Sequence, residues 1–163
     1  MPTLIPGSDA IARIALERGD APCLMCAIVA RRVGDVHVVY EDDEQLVSLP
    51  RYVRRWGAVT VTPKAHVTSF TEVDADVWAR SNALALRAAR MIEAERRPRR
   101  TILASTGSAA GELVNSSTHL HLHVIPLYES EDRPADVFSW QAGVWVGDAE
   151  EWEALRRAYV ARF

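Results

Sequence analysis

The sequence predicts an α+β fold, a single domain in which an antiparallel β-sheet is flanked by helices, and three observations carry that prediction. Short β-like runs rich in Val and Tyr gather between residues 27 and 62 and return at 101–105 and 117–127. A long stretch of helical periodicity, 72–96, separates the two groups, and shorter helical stretches lie near either end. No repeat, low-complexity tract or long linker interrupts the 163 residues, and their 48% hydrophobic content suffices for one buried core.

Taken in order, residues 8–18 read as a helix capped by Ser8, with Ile11, Ile14 and Ala15 on one side and Gly19 as its stop. Residues 27–33, 35–41, 45–49 and 56–62 read as strands, with Gly34-Asp35 as a hairpin turn between the first two. Over 72–96, Val73, Val77, Leu84, Ala88 and Met91 recur at helical spacing behind a Thr71 cap, leaving Arg80, Arg87 and Arg90 on a solvated face. Pro98 ends that helix within the run Arg96-Arg97-Pro98-Arg99-Arg100, because proline disfavours helix at the residue before it. A terminal helix at 149–162 carries Asp148 as its cap, Glu151 three residues on, and Trp152, Leu155 and Tyr159 along one side.

Charge and hydropathy exclude several functions. A net charge of −3 argues against a large nucleic-acid partner held by bulk electrostatics. No run approaches the roughly 20 apolar residues that span a bilayer, and the start Met1-Pro2-Thr3-Leu4 lacks the features of a secretion signal. A cytoplasmic protein with no membrane partner is expected. In that setting the pair Cys23 and Cys26 points to metal or redox chemistry rather than to a disulfide framework. A thioredoxin-like pair would precede a helix, whereas Ala27-Ile28-Val29-Ala30 reads as strand. His37, in another strand-like run, receives no role.

The densest chemical signal is His119-Leu120-His121-Leu122-His123-Val124-Ile125-Pro126. In a strand this alternation places the three imidazoles on one face and Leu120, Leu122 and Val124 in the core. A plain solvated strand face is the structural alternative. A single metal on all three histidines would require a twist or bulge, since alternate positions lie roughly 6–7 Å apart.

With its following apolar residues and proline, this segment resembles the signature of the histidine triad (HIT) family. Pro22-Cys23-Leu24-Met25-Cys26 and Thr62-Pro63-Lys64-Ala65-His66-Val67 are similar to two further family segments in order and spacing. The resemblance implies a HIT-like core domain over 22–130, with an N-terminal helical extension at 1–21 and a C-terminal extension with the terminal helix at 131–163. It also implies a nucleotide hydrolase or nucleotidyl transferase acting on dinucleoside polyphosphates or nucleotide phosphoramidates. His121 would attack the α-phosphorus, its other nitrogen held by a backbone carbonyl near His119, and His123 would donate to a nonbridging oxygen. Ser116 would serve catalysis and, with Asn115 and His123, bind substrate. Cys23, Cys26, His66 and His119 would hold a structural zinc, with no redox cofactor and with a homodimer as a further expectation.

The sequence departs from the family in three places. Val114-Asn115-Ser116 stands where many relatives carry Gly-Gln-Ser or Gly-Gln-Thr, beside an enlarged turn Gly107-Ser108-Ala109-Ala110-Gly111. Pro50 falls where many place a ribose-binding Asp, so that Asp42, Asp43 or Glu44 would have to substitute through a register shift. Leu127-Tyr128 replaces a common arginine. These departures leave two alternatives: a phosphorylase or transferase using another acceptor, and a nonenzymatic nucleotide-binding adaptor.

Overall fold

A computed structural model describes residues 1–107 and 117–163 of the chain. The five-stranded sheet follows the order β2-β3-β4-β6-β5, with every neighbouring pair antiparallel. Its strands are β2 (His37–Glu41), β3 (Gln45–Leu49), β4 (Val59–Pro63), β5 (Arg100–Ala104) and β6 (Leu122–Leu127). Central β3 and β4 are buried along their whole length, so both faces are covered. A second, two-stranded sheet pairs β1 (Thr3–Ile5) with β7 (Val144–Val146) and so ties the two ends of the chain together. Such three-residue strands carry too little periodicity to be read from sequence.

The long helix α3 (Ala75–Arg96) packs on β4, β5 and β6 through Leu84, Ala85, Ala88, Met91 and Ile92. Arg80, Arg87 and Arg90 are exposed, as the periodicity predicts. Its cap is Asp74 rather than Thr71, since the Asp74 carboxylate accepts from the Asp76 and Val77 N–H groups at 2.9 and 3.2 Å. Helix α4 (Ala149–Val160) opens with the expected capping box, in which Asp148 and Glu151 exchange side-chain to backbone bonds. It buries Trp152, Leu155 and Tyr159, and the Tyr159 hydroxyl donates to the Gly57 carbonyl at 2.7 Å.

Four further expectations are corrected. Helix α1 spans Gly7–Arg18 and starts from Pro6, with no side-chain cap from Ser8. Residues Leu24–Val29 form helix α2 instead of the first strand, so Gly34-Asp35 joins no hairpin. The Cys23 sulfur caps this helix, and buried Met25 and Ala27 anchor it, which outweighs the β-preference of Ile28 and Val29. Strand β4 begins only at Val59, because Gly57 takes φ +92° and turns Trp56 away to pack, tilted, against Trp152 at 4.2 Å between ring centroids. Finally, β6 begins at Leu122, leaving His119 and His121 ahead of the ladder.

Candidate functional site

The late start of β6 divides the histidine segment between two environments. The chain bends at Thr118 and His119, and the Leu120 N–H donates to the Val67 carbonyl at 2.8 Å. His119 is fully buried and faces the cysteines, whereas His121 and His123 lie edge to face, 4.6 Å between ring centroids. The single face expected from alternation is therefore not formed: His119 leaves it because the ladder that would hold it there has not begun.

The first environment gathers Cys23, Cys26, His66 and His119, whose ligand atoms all lie within 4.8 Å of one another. Cys23 caps α2 and Cys26 sits one turn further on, which brings their sulfurs to one side; the Cys26 N–H donates to the Cys23 sulfur at 3.4 Å. His66 follows the end of β4 and approaches the Cys26 sulfur at 3.2 Å through Nδ1. His119 Nδ1 lies 3.7 and 3.5 Å from the two sulfurs, and its Nε2–H donates to the Pro63 carbonyl at 2.8 Å. That second contact fixes the tautomer and leaves Nδ1 a lone pair to offer.

The three histidine–sulfur distances, 3.2, 3.5 and 3.7 Å, fit a tetrahedral zinc. Zn–S bonds near 2.3 Å and Zn–N bonds near 2.0–2.1 Å separate neighbouring ligand atoms by roughly 3.3–3.8 Å. The donor chemistry fits as well. Burial pushes the Cys23 thiol up, but the close approach of the His119 ring and hydrogen bonds from Cys26 and Ser117 outweigh it and bring it to about 6. Burial and the facing Cys23 then push Cys26 up to about 11. Two adjacent thiolates repel, and a divalent cation is the partner that lets both ionise.

The second environment is a cleft enclosing about 170 Å³, into which His121 and His123 project. The His121 Nδ1–H donates to the His119 carbonyl at 2.7 Å, within the same motif as expected, so the lone pair of the neutral ring sits on Nε2. Burial lowers the affinity of His121 for a second proton. Burial and then the neighbouring His121 push His123 down to about 3. Both rings are neutral at pH 7, one presenting a nucleophilic nitrogen toward the cleft.

Other expected residues fall differently. Asn115 and Ser116, with most of the Gly107–Gly111 turn, lie outside the described residues. Pro50 lines the cleft, but Asp42 does not: it closes the β2–β3 turn by accepting from the Glu44 and Gln45 N–H groups and pairing with Arg80. Asp43 and Glu44 belong to the same turn and are also absent from the cleft lining. Glu17, Arg51, Tyr52, Arg54, Phe138 and Trp140 line it without having been singled out from the sequence. They come from α1, the loop after β3 and the segment before β7, and no local motif joins stretches so distant in the chain.

An antiparallel α+β sandwich with a Cys2His2 cluster beside a pair of cleft histidines defines a class that the comparisons identify. The HIT domain model matches residues 31–130, and the chain belongs to the HIT family. An uncharacterised HIT-like protein of Methanocaldococcus jannaschii is 29% identical over 109 residues, covering 67% of this chain and 81% of the relative. The crystal structure of a hypothetical histidine triad nucleotide-binding protein from Sulfolobus tokodaii is 27% identical with a TM-score of 0.68, covering 86% of this chain and 91% of its own. That of a zinc-bound histidine triad family protein from Mycobacterium smegmatis is 28% identical with a TM-score of 0.64, covering 88% and 96%. Among the described residues no helix is long and apolar enough to cross a membrane.

Proposed function

We propose that this protein is a nucleotide hydrolase or nucleotidyl transferase that works at an α-phosphate through a covalent intermediate on His121. The observation carrying this reading is the 2.7 Å bond from His121 Nδ1–H to the His119 carbonyl, which leaves Nε2 unprotonated beside His123 in the cleft. Nε2 attacks the α-phosphorus, and the bond to the leaving oxygen or nitrogen breaks as the new P–N bond forms. The leaving group takes a proton, a step assigned to Ser116. Water, or another acceptor, then displaces His121 from phosphorus, its proton returning to Ser116, and restores the neutral ring. His123 donates to a nonbridging oxygen as charge builds, and Asn115 binds the same phosphate.

Cys23, Cys26, His66 and His119 are assigned to zinc, in line with the zinc-bound relative. When bound, the metal supplies structural cross-linking rather than reactivity. These four residues join α2, the end of β4 and the stretch leading into β6, so they hold the His119 carbonyl at the position His121 uses. Association of two copies is part of the same reading, by analogy with the family.

The test is release of adenosine monophosphate from an adenosine phosphoramidate and from a diadenosine polyphosphate, by the protein and its His121→Ala variant. Release that depends on His121 supports the reading. No release from either folded protein moves the assignment to the nonenzymatic adaptor, which the presence of Pro50 in the cleft favours.

A further inference from the structure

Most of the segment between β6 and β7, residues 131–143, lies beyond the residues that match the family model, yet it builds one wall of the cleft. Its course is fastened at several points. Arg55 pairs with Asp132, whose other oxygen accepts from the Tyr128 and Glu129 N–H groups at 2.9 and 3.1 Å. Arg54 donates to the carbonyls of Asp136 and Gly143, spanning the second half of the segment. Further along, a Cβ on Gly7 would stand 2.4 Å from the Trp140 carbonyl oxygen, so glycine is what lets the N-terminus of α1 press against the segment.

The fastening sets two aromatic residues in the cleft lining. Phe138 meets His123 edge to face at 5.7 Å between centroids. Trp140 follows two residues later, and because two residues span at most about 7 Å, its backbone lies within one nucleoside's reach of Phe138. Trp140 is only half-buried, and it lines the cleft together with Ile14, Leu24, Met25 and Ile28 from α1 and α2. Among the described residues, Arg54 has carbonyl partners only, and burial followed by the neighbouring Arg55 lowers its proton affinity. Bonded to backbone carbonyls, this guanidinium serves the geometry of the segment it holds.

Resting on the nucleotide reading above, we propose that Trp140 stacks on the base of the substrate nucleotide and that Arg54 is the positioning residue holding the segment that carries it. The cleft then selects a nucleotide over a simple sugar phosphate through a wall supplied by this chain's own C-terminal region.

Equilibrium binding of two probes, adenosine 5′-monophosphate and ribose 5-phosphate, separates the base from the phosphate. Base–aromatic stacking corresponds to about tenfold in affinity. Trp140→Leu is expected to weaken adenosine monophosphate about tenfold and to leave ribose 5-phosphate unchanged. Trp140→Phe, which keeps a ring, is expected to stay within about threefold of the unaltered protein. Arg54→Met is expected to reproduce the loss seen in Trp140→Leu, with ribose 5-phosphate again unchanged as the sign that the phosphate site is folded. Quenching of tryptophan fluorescence by adenosine monophosphate is expected to shrink in Trp140→Phe. Equal weakening of both probes, no weakening of either, or failure of the unaltered protein to bind the monophosphate would overturn the inference. Because turnover is not read, a protein that binds through Trp140 but forms no product refutes the nucleotidyl-transfer reading alone.

Discussion

Cys23 performs two tasks that one pair of substitutions can separate. Its sulfur is a member of the Cys2His2 cluster and is also the cap of α2, accepting from the Cys26 N–H at 3.4 Å. Serine keeps a capping oxygen but is a poor zinc ligand, whereas alanine loses both roles. Cys23→Ser should therefore lower the zinc content of the purified protein to a small fraction of its starting value while preserving the cap. If free zinc exceeds the dissociation constant by about a thousandfold, binding stabilises the folded chain by about 4 kcal/mol. For a chain of this size each 1 kcal/mol moves Tm by about 2–4 °C, so the expected drop is about 8–16 °C. In excess chelator the unaltered protein and Cys23→Ser should melt together, with Cys23→Ala about 1 kcal/mol lower for the lost cap. Thermal melts with and without chelator, alongside metal analysis, make the comparison. Unchanged zinc in Cys23→Ser, or a drop of the same size in chelator, would refute the assignment of Cys23 as a ligand.

Three other expectations follow from the structure. Tyr159→Phe removes the bond to Gly57 and leaves a buried carbonyl unpaired, so unfolding in urea should show a loss of about 1.5 kcal/mol with turnover unaffected. Burial raises the Asp42 carboxyl, but bonds from Arg80, Glu44, Tyr40 and Gln45 outweigh it and hold it at about 2, against an ordinary 3.8. Its contribution is therefore complete above pH 3.8 and vanishes as pH falls through 2. Asp42→Asn should cost about 1 kcal/mol at pH 7, after allowing for solvent screening, and progressively less in melts below pH 4. His123→Ala should lower kcat about 100-fold or more in steady-state assays, with a much smaller change in binding of adenosine monophosphate.

The elements with strong local signals were legible in the sequence. Strand β3 matches its predicted bounds, Gln45–Leu49, and the Asp148–Glu151 box marks the start of α4. Elsewhere tertiary context prevailed. Ile28 and Val29 favour strand locally, yet the cap at Cys23 and the burial of Met25 and Ala27 make α2 a helix. This removes the local argument that set Cys23 and Cys26 apart from a redox pair. What separates them is the approach of His66 and His119 from distant parts of the chain. The alternation at 119–123 picks out histidines that the structure places in the cysteine cluster and the cleft, but it implies a shared face that the bend at His119 breaks. Phe138, Trp140 and Arg54 had no signature because their place in the cleft lining depends on segments far apart in the chain, brought together where a small sheet joins its two ends.

The central claim is that His121 carries the nucleotidyl group, and it is tested most directly by trapping that adduct. The protein is mixed with an adenosine phosphoramidate, quenched within the first turnovers in alkaline denaturant to preserve the acid-labile P–N bond, and measured by intact and peptide mass spectrometry. The account predicts an adenylyl adduct on the peptide containing His121, absent from His121→Ala. Turnover by the unaltered protein with the adduct on another residue, or undiminished turnover by His121→Ala, would contradict it.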